Sequence, residues 1–372
     1  MLSRIEKLTV VAETKKIDVF LLTSAPSVKY FSGYFFYFEY GVSPFHILPA
    51  ALVVKPSSSA TLIIADNELQ QESSLLPGIS TAPYASYVYE NPSVPSEQFL
   101  QQLFNLLDGP TQGKIRIGIE AQHLSILLAD ALTARYSGIE YVDVTTEIQQ
   151  LRAVKDPDEI ACIKKAARLC DIGQETVLKH AKPGMTELEL FSIVCNAIES
   201  GEGQRVPLMC DLSTGKNTTS GGGMPGNTKI ETGDLVLSDF TACLNGYWGD
   251  SCNTIVIGTP SDAQQKTFTQ VKESLQMGID AIRPGVRALD IDKIMRSHAG
   301  NFPHHGGHGV GIQYHEEPRI VPYNETILVP NMVIALEPAI YNNEFGIRLE
   351  HLVLVTETGS ENITQFQHRF EQ

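Results

Sequence analysis

The sequence predicts an α/β N-terminal domain, residues 1–150, followed by an α+β C-terminal domain, residues 151–372. A chain of 372 residues is long enough to bury two hydrophobic cores. Its first part alternates helical patterns with short apolar runs, whereas the second opens with helices and then becomes mostly strand and turn. The first pattern is typical of an α/β domain and the second of an α+β domain.

The N-terminal domain begins with apolar residues at helical spacing: Leu2, Ile5, Leu8 and Val11. Short apolar runs of the kind that form buried strands follow it. We predict strands at residues 19–22, 50–54, 60–65, 117–119 and 139–144, and a helix over 123–136. Helices alternating with such strands are typical of an α/β domain.

Helix-capping signals mark the start of the C-terminal domain. Asp156-Pro157-Asp158-Glu159 combines an N-cap, a proline at the first helical position and a glutamate at N3. Pro183-Gly184 would end this helix, and Thr186 to Glu189 forms a second capping box for a helix that reaches residues 201–203. Further helices are predicted over 262–282 and 289–299.

Composition excludes several classes of partner. The chain has 28 Lys plus Arg against 43 Asp plus Glu, and its net charge of −15 would repel nucleic acid and anionic lipid. Residues 1–16 carry charges throughout and give no signal peptide, and no later stretch approaches a membrane span. The six cysteines never form C-x-x-C, so we expect reduced, mostly buried thiols in a cytoplasmic protein.

A predicted hairpin brings two acids together in the C-terminal domain. Asn245-Gly246 lies between apolar strands, which is the strongest short signal for a two-residue turn. In that register Asp250 faces Thr241, and Asp239 shares the face of Thr241. Asp239 and Asp250 then become diagonal neighbours about 7 Å apart at Cα, close enough for both carboxylates to bind one cation.

A second predicted hairpin repeats the arrangement around a loop centred on Asn343-Glu344. In its register Glu337 and Glu350 lie opposite each other on one face. An ionised carboxylate within an apolar strand is strongly disfavoured unless it is paired or bound to metal. Asp239 alone would more often be a surface charge, but four acids on two hairpins favour a metal site.

A histidine-rich and glycine-rich tract, residues 302–311, supplies the nitrogen donor. Glycines suit a close backbone approach to a ligand, and His308 lies among them. One dication would leave four carboxylates with a net charge of about −2, whereas two dications and one hydroxide leave about −1. Carboxylate-rich ligation with one histidine indicates two ions of Mn, Co, Fe or Zn.

The order of these motifs resembles the creatinase and methionine aminopeptidase superfamily of pita-bread metallopeptidases. The motifs are two Asp residues with ten residues between them, G-H-G-x-G, E-P-x-I-Y and R-x-E. The closest resemblance is to the Xaa-Pro aminopeptidase and prolidase branch. Residues 30–34 resemble its Y-x-x-G-Y, and residues 151–160 resemble the start of its catalytic domain. The resemblance implies a creatinase-like N-terminal domain and a pita-bread catalytic domain.

The resemblance also implies roles for eight residues. Asp239 and Asp250 hold one metal, Asp250 and Glu350 bridge, and His308 with Glu337 completes the other site. Glu337 also carries the proton to the leaving amine. The remaining implied roles are contact with the substrate carbonyl by His315, lining of the pocket by His304 and orientation of the ligands by Arg348. Manganese is the expected metal, and a homodimer in which one N-terminal domain helps close the partner's pocket is the expected assembly.

The sequence departs from the family pattern at two places. Family peptidases carry a histidine in a P-H-G segment, whereas Ser220-Gly221-Gly222-Gly223-Met224-Pro225 occupies that stretch here. Asp250-Ser251-Cys252-Asn253-Thr254 stands where D-x-T-R-T is usual. With Gly222 in place of an imidazole that faces the scissile amide, we expect slow cleavage of X-Pro dipeptides. Gly222→His should improve it if the loop tolerates a side chain there.

Three functions remain open on this sequence. The leading one is hydrolysis of the X-Pro bond in dipeptides or short peptides, with Glu337 as the proton carrier. The second is a metal-dependent hydrolase or lyase of a small non-peptide metabolite, which Gly222 favours. The third is a non-catalytic binding module of the same fold, although relatives of that kind typically lose metal ligands and this chain keeps five.

Overall fold

The computed structural model describes residues 3–35, 50–56, 59–90, 93–108 and 114–372. The chain divides into two compact units, Met1–Arg152 and Ala153–Gln372. The division falls two residues beyond the boundary expected from the capping signals. Leu2, which was assigned to the opening helix, lies outside the described residues.

The N-terminal unit is built around one mixed sheet in the strand order β4-β3-β2-β1-β5-β6. β1 pairs antiparallel with β2 and parallel with β5, so it lies inside the sheet, and its four residues are all buried. The elements in chain order are α1 (Arg4–Lys15), β1 (Val19–Leu22), α2 (Ala25–Ser32), β2 (Ala50–Lys55), β3 (Ser59–Ala65), β4 (Ile79–Tyr84), α3 (Pro95–Leu107), β5 (Ile115–Ile119), α4 (Ile126–Arg135), β6 (Ile139–Asp143) and α5 (Thr145–Ala153).

The predicted α/β pattern of this unit is confirmed, and its boundaries differ slightly. All five predicted strands form, and the helix predicted over 123–136 is α4, which begins at Ile126 because Ser125 caps it. The sequence pattern did not predict α2, α3, α5 or β4. β4 has only one buried residue, Tyr84, and so lacks the apolar run that identified the other strands.

The C-terminal unit places four helices against three small antiparallel sheets. The sheets have the strand orders β7-β8-β9, β11-β10-β12-β15-β16 and β13-β14. The elements are α6 (Pro157–His180), α7 (Glu187–Glu202), β7 (Leu208–Thr214), β8 (Leu235–Leu244), β9 (Tyr247–Val256), α8 (Asp262–Ala281), α9 (Ala288–Ala299), β10 (Gly307–Gly309), β11 (Glu316–Ile320), β12 (Val333–Leu336), β13 (Ala339–Tyr341), β14 (Gly346–Arg348), β15 (His351–Val355) and β16 (Ser360–Asn362).

Helix α6 covers one face of the β7-β8-β9 sheet and so determines which face is left for a site. Its predicted capping box at Asp156 is confirmed, as is the one at Thr186 that starts α7. At Gly249 in β9 a Cβ atom would lie 2.4 Å from the backbone nitrogen of Ala167, so only glycine permits this close approach. Gln174 of α6 donates to the carbonyl oxygens of Ser238 and Ser251. The residues alternating with these, including Asp239 and Asp250, therefore lie on the opposite face.

The first hairpin has the register predicted from the sequence. Leu244 pairs with Tyr247 and Thr241 pairs with Asp250, so Asn245-Gly246 is the two-residue turn. Both turn residues have positive φ, 52° and 82°, as a type I′ turn requires. Asp239 and Asp250 are therefore diagonal neighbours on one face of the hairpin.

The second hairpin also has the predicted register, but its hydrogen-bond ladder is interrupted at the two acids. Leu336 pairs with His351 and Ala339 pairs with Arg348, which places Glu337 opposite Glu350 between the two paired stretches. Pro338 has no N–H to donate there. The backbone N–H of Glu337 donates instead to Gly306, and that of Glu350 donates to Cys252 of β9. The acids thus lie where the second hairpin joins the first.

Neither disulfides nor long apolar helices occur in the part of the chain that the structure describes. All six cysteines have free thiols, and three of them are buried. The longest helix, α6, carries charged residues along its length. No helix in the described ranges is both long enough and apolar enough to cross a bilayer.

Candidate metal centre and substrate cavity

A cavity of about 530 Å³ opens on the uncovered face of the β7-β8-β9 sheet. This volume lies within the range of about 300–1,000 Å³ that is usual for small-molecule sites. It brings together the five residues predicted as metal ligands and also His315. Its lining is Leu188, Phe191, Leu208, Met209, Cys210, Asp211, Met224, Pro225, Asp239, Thr241, Asp250, His308, Tyr314, His315, Glu337 and Glu350. Arg348 and His304 lie outside this lining.

Three of the predicted ligands form a tight group. One ligand atom each of Asp250, His308 and Glu350 lies within 4.8 Å of the other two. These residues are almost fully buried, with 4%, 2% and 2% of their surface exposed. A carboxylate, an imidazole and a second carboxylate at this separation are a donor set that suits a divalent transition metal.

His308 owes its position to close packing of strands. β10 lies between β12 and β11, and a Cβ atom would be 2.0 Å from the Ala335 oxygen at Gly307 and 2.4 Å from the Glu317 oxygen at Gly309. The glycines therefore permit the approach of neighbouring strands. The expectation that they permit a close approach to a ligand was wrong, because backbone occupies that space.

The orientation of the His308 ring leaves one nitrogen for the cavity. Nδ1 lies 3.1 Å from the carbonyl oxygen of Gly309, to which it donates if protonated. Nε2 lies 3.8 Å from Asp250 Oδ2 and 3.5 Å from Glu337 Oε1. Burial lowers the pKa of His308 to about 4, so the ring is neutral at pH 7 and Nε2 can act as a ligand.

Glu337 is a buried carboxylate surrounded by imidazoles. Its Oε1 lies 2.9 Å from His305 Nε2 and 3.5 Å from His308 Nε2, and its Oε2 lies 3.7 Å from His304 Nδ1. None of these contacts gives Oε1 a hydrogen bond of acceptable geometry, although the atom is buried. A buried carboxylate oxygen without a donor is costly, and a bound cation would satisfy it.

Asp239 faces the cavity but lies apart from the tight group. Its Oδ2 accepts from Arg348 Nη2 at 2.6 Å. Arg348 is itself held by the carbonyl oxygen of Gly221, the Tyr341 hydroxyl and Asp211. The contact of Arg348 with a predicted metal ligand is the geometry that an orienting residue requires.

The histidine tract contains one candidate residue that the sequence analysis missed. His305 has the shortest contact with Glu337, and its ring nitrogen forms a second group of ligand atoms with those of His308 and His315. His304 lies behind Glu337, with Nε2 at 3.0 Å from the Tyr341 hydroxyl. The only sequence signal for His305 was its place next to His304. The sequence does not show which of two adjacent histidine rings makes the shorter contact with Glu337.

Arg296 of α9 holds the backbone of this tract. It donates to the carbonyl oxygens of Phe302 and His304 at 2.8 Å each, and it forms an ion pair with the buried Asp292. The same guanidinium lies 4.0 Å above the Phe302 ring. The imidazoles are therefore positioned by a helix that does not itself reach the cavity.

The pKa shifts of the four acids indicate that they need bound cations to be ionised together. Burial raises the pKa of Asp250 and Glu350 well above the usual range, and the neighbouring carboxylates raise it further. Burial also raises the pKa of Asp239 to about 6, although Arg348 acts in the opposite direction. At Glu337 burial is outweighed by the surrounding imidazoles, which lower its pKa to about 2. All four can be ionised together at pH 7 only if cations offset their repulsion.

We predict that the buried acids reduce the stability of the metal-free protein as the pH rises from about 4 to 7. A carboxyl group whose pKa is raised on folding stabilises the fold fully below its unfolded pKa, about 4, and this contribution is lost as the pH rises to the folded pKa, about 6 for Asp239. Divalent metal should remove the repulsion. The difference in Tm between metal-loaded and metal-free protein, measured by calorimetry, should therefore widen from about pH 5 to pH 7. A difference that narrows over this range would contradict the prediction.

Gly222 and Asp211 occupy adjoining space beside the cavity. Gly222 has a φ of 149°, and a Cβ atom there would lie 2.1 Å from Asp211 Oδ2. Gly221 also has a positive φ, 85°. Gly222→His was expected to improve activity only if the loop tolerates a side chain at this position. The loop does not, because a positive φ disfavours any residue but glycine and because the Asp211 carboxylate occupies the space of a Cβ atom. We now expect that substitution to disrupt the loop and not to improve activity.

Comparisons with known proteins agree with this architecture. Residues 161–357 match the family profile described as metallopeptidase family M24, and residues 4–154 match the creatinase/prolidase N-terminal domain. An uncharacterised peptidase of Staphylococcus haemolyticus is 31% identical, with 98% of this chain and 99% of that protein aligned. The Xaa-Pro dipeptidase of Pyrococcus furiosus is 28% identical, with 98% of each chain aligned.

Solved structures give the same result. The prolidase of Pyrococcus horikoshii superposes with a TM-score of 0.84 at 26% identity, covering 98% of this chain and 99% of that one. The prolidase of Pyrococcus furiosus superposes with a TM-score of 0.81 at 26% identity, covering 97% and 100%. The similarity therefore extends over both units and not only over the cavity.

Proposed function

The chain belongs to metallopeptidase family M24, and from this premise we propose that it hydrolyses the bond before proline in dipeptides and short peptides. It is a metallopeptidase-type hydrolase that uses divalent metal ions. The predicted fold class, a creatinase-like N-terminal domain with a pita-bread catalytic domain, is confirmed. This membership favours an enzyme over the non-catalytic binding module.

The observation that carries the proposal is the cavity that gathers all five predicted ligands beside an apolar wall. The lining includes the five predicted ligands and also the apolar residues Leu188, Phe191 and Met224. We propose that the five hold two metal ions, with manganese as the expected one. When bound, such a pair polarises a carbonyl group and lowers the pKa of water toward neutrality.

The side chains of this protein would then do the remaining work. Glu337 would accept the proton from the attacking water and deliver it to the leaving imino nitrogen. His315, exposed at the cavity, would donate a hydrogen bond to the carbonyl oxygen of the substrate. Arg348 would keep Asp239 oriented, and its 2.6 Å contact with that carboxylate supports this role. The apolar wall would exclude water from the reacting bond.

Two further parts of the proposal concern the whole protein. The net charge of −15 disfavours nucleic acid and anionic membranes and so supports small peptides as partners. The six free thiols support the cytoplasm as the compartment. We also propose a homodimer, which sedimentation measurements would test. A hydrolase or lyase of a small non-peptide metabolite remains the alternative, supported by the absence of a side chain at Gly222.

A substrate screen of the metal-loaded protein tests the function. We expect hydrolysis of Ala-Pro and Leu-Pro, with kcat/KM below about 10⁴ M⁻¹s⁻¹, because a missing donor commonly costs about 10²–10³ in rate. Ala-Ala and small cyclic amides serve as controls. Turnover of the amides without any X-Pro cleavage would replace the proposal with the metabolite alternative. A value above 10⁴ M⁻¹s⁻¹ would instead indicate that another imidazole, with His305 as the first candidate, replaces the absent one.

A further inference from the structure

Asp211 is a cavity acid that the proposed metal centre does not use. It lies in β7 directly opposite Asp239 in β8, and both face the cavity. Asp211 is therefore one strand farther from Asp250 than Asp239 is. Its side chain is 42% exposed, whereas that of Asp239 is 17% exposed. This position is beside the metal centre and open to an incoming molecule.

The charge of Asp211 is only partly balanced within the protein. Arg348 Nη2 lies 2.6 Å from Asp239 Oδ2 and 3.3 Å from Asp211 Oδ2, so one guanidinium serves two carboxylates. Among the residues that the structure describes, no donor other than Arg348 is hydrogen-bonded to Asp211. Two acids opposite each other on neighbouring strands repel each other. The proposed metal ions lie on the Asp239 side of this pair. Asp211, the more exposed acid, shares one guanidinium with Asp239 and can therefore accept a further positive charge from the substrate.

The surroundings of Asp211 suit an aliphatic chain that ends in a positive charge. Met209 lies two residues before Asp211 on the same face of β7 and is 40% exposed. Met224 also lines the cavity and is 88% exposed. Flexible methionine side chains adapt to varied apolar surfaces, and lysine and arginine bury their stems on such surfaces while their charged ends reach a polar group.

Distance identifies which substrate cation can reach this acid. In the proposed function the scissile carbonyl lies beside the tight group of Asp250, His308 and Glu350. Since neighbouring strands are about 4.8 Å apart, Asp211 is about 10 Å or more from Asp250. The α-amine of the first residue lies only about 2.5 Å from its own carbonyl carbon, whereas an arginine side chain extends roughly 7 Å from Cα. The side chain is therefore the part that spans the distance.

We propose that Asp211 binds the charged side chain of a lysine or arginine that precedes the scissile bond, so that the enzyme prefers basic residues at this position. The proposal rests on the function proposed above, because it takes the residue before proline as the one whose side chain points toward β7. The preference is a property of Asp211 and not of the overall negative charge. It can be separated from catalysis by comparing substrates of equal shape.

The test compares Arg-Pro with citrulline-Pro, which has nearly the same shape and no charge. The wild type should give a kcat/KM about tenfold or more higher for Arg-Pro, as expected for a charge-assisted hydrogen bond. Asp211→Asn should abolish this preference, so that the ratio of kcat/KM for Arg-Pro to that for citrulline-Pro falls to about one. This ratio cancels any effect that the loss of the contact with Arg348 has on both substrates. Asp211→Glu should keep part of the preference. The control is Asp280→Asn, an exposed acid whose loss changes the net charge equally and should leave the preference intact.

Binding without turnover separates failure of this inference from failure of the proposed function. L-argininamide and L-citrullinamide contain no X-Pro bond, and calorimetric titration should show the same contrast and the same loss in Asp211→Asn. If no X-Pro dipeptide is cleaved, the proposed function fails, while the titration still decides on Asp211. If Leu-Pro is cleaved but Arg-Pro is no better than citrulline-Pro, or if Asp211→Asn weakens both substrates equally, the inference is wrong.

Discussion

Glu337→Gln is expected to lower kcat by about 10²–10⁴ while the protein keeps its fold. Glutamine has nearly the shape of glutamate, but it cannot accept a proton and is a weaker metal ligand. Glu337 has only 7% of its surface exposed and lies within 3.7 Å of three imidazoles, so no solvent acid or base can easily replace it. Steady-state rates on an X-Pro dipeptide, with Tm and metal content measured on the same samples, check the prediction.

The matched control for this variant lies on the same hairpin. Glu344→Gln makes the same chemical change at an exposed position in the loop between β13 and β14, and it should leave the rate unchanged. If Glu337→Gln kept its metal and retained more than about a tenth of wild-type activity, Glu337 would not be the proton carrier.

Asp250→Asn is expected to reduce the metal content from about two ions per chain to one or fewer and to lower kcat by roughly 10³-fold. Asp250 belongs to the tight group with His308 and Glu350, and the proposal makes it a ligand of both ions. Its Oδ1 is already an acceptor for the Thr241 hydroxyl, so the asparagine side chain would keep that contact while losing the charge. Elemental analysis and kinetics on the same preparation measure both effects.

A second consequence of Asp250→Asn has the opposite sign and excludes simple misfolding. In metal-free protein at pH 8 the variant should melt at a higher temperature than the wild type, because one charge has been removed from a buried group of acids. Asp280→Asn, at an exposed position, should change neither metal content nor Tm. Two bound ions together with wild-type turnover in Asp250→Asn would show that Asp250 is not a metal ligand.

The hairpins were predictable because short-range chemistry determines their register. Asn245-Gly246 adopts positive φ at both positions, and this alone sets Asp250 against Thr241. The register of the second hairpin followed from the spacing of Glu337 and Glu350 about its loop. The start points of α6 and α7, at Asp156 and Thr186, were predictable for the same reason, because a capping box is a pattern of only four residues.

The features that were missed depend on contacts between distant segments. Asp211 carries no motif, and its importance arises only when β7 pairs with β8 and Arg348 arrives from β14. The contact of His305 with Glu337 likewise requires two separate segments to meet. The glycines beside His308 were misinterpreted because their neighbours, Ala335 and Glu317, cannot be identified without the sheet. Sequence patterns identified the chemical groups, and tertiary structure determined their partners.

The ladder of the second hairpin is interrupted at Pro338, between the loop end of the hairpin and the two acids. A movement of the loop is therefore transmitted only weakly to Glu337 and Glu350. The backbones of Glu337 and Glu350 are anchored sideways, to Gly306 and Cys252, and not through the ladder that leads to the loop. A bend or twist at Asn343 would therefore be absorbed at the break before it altered the separation of the two carboxylates. The loop at residues 342–345 can thus vary more freely than β13 and β14, whose Tyr341 and Arg348 contact the site. The spacing of the two acids is maintained by the adjoining β12-β15 pairing and by their bonds to Gly306 and Cys252.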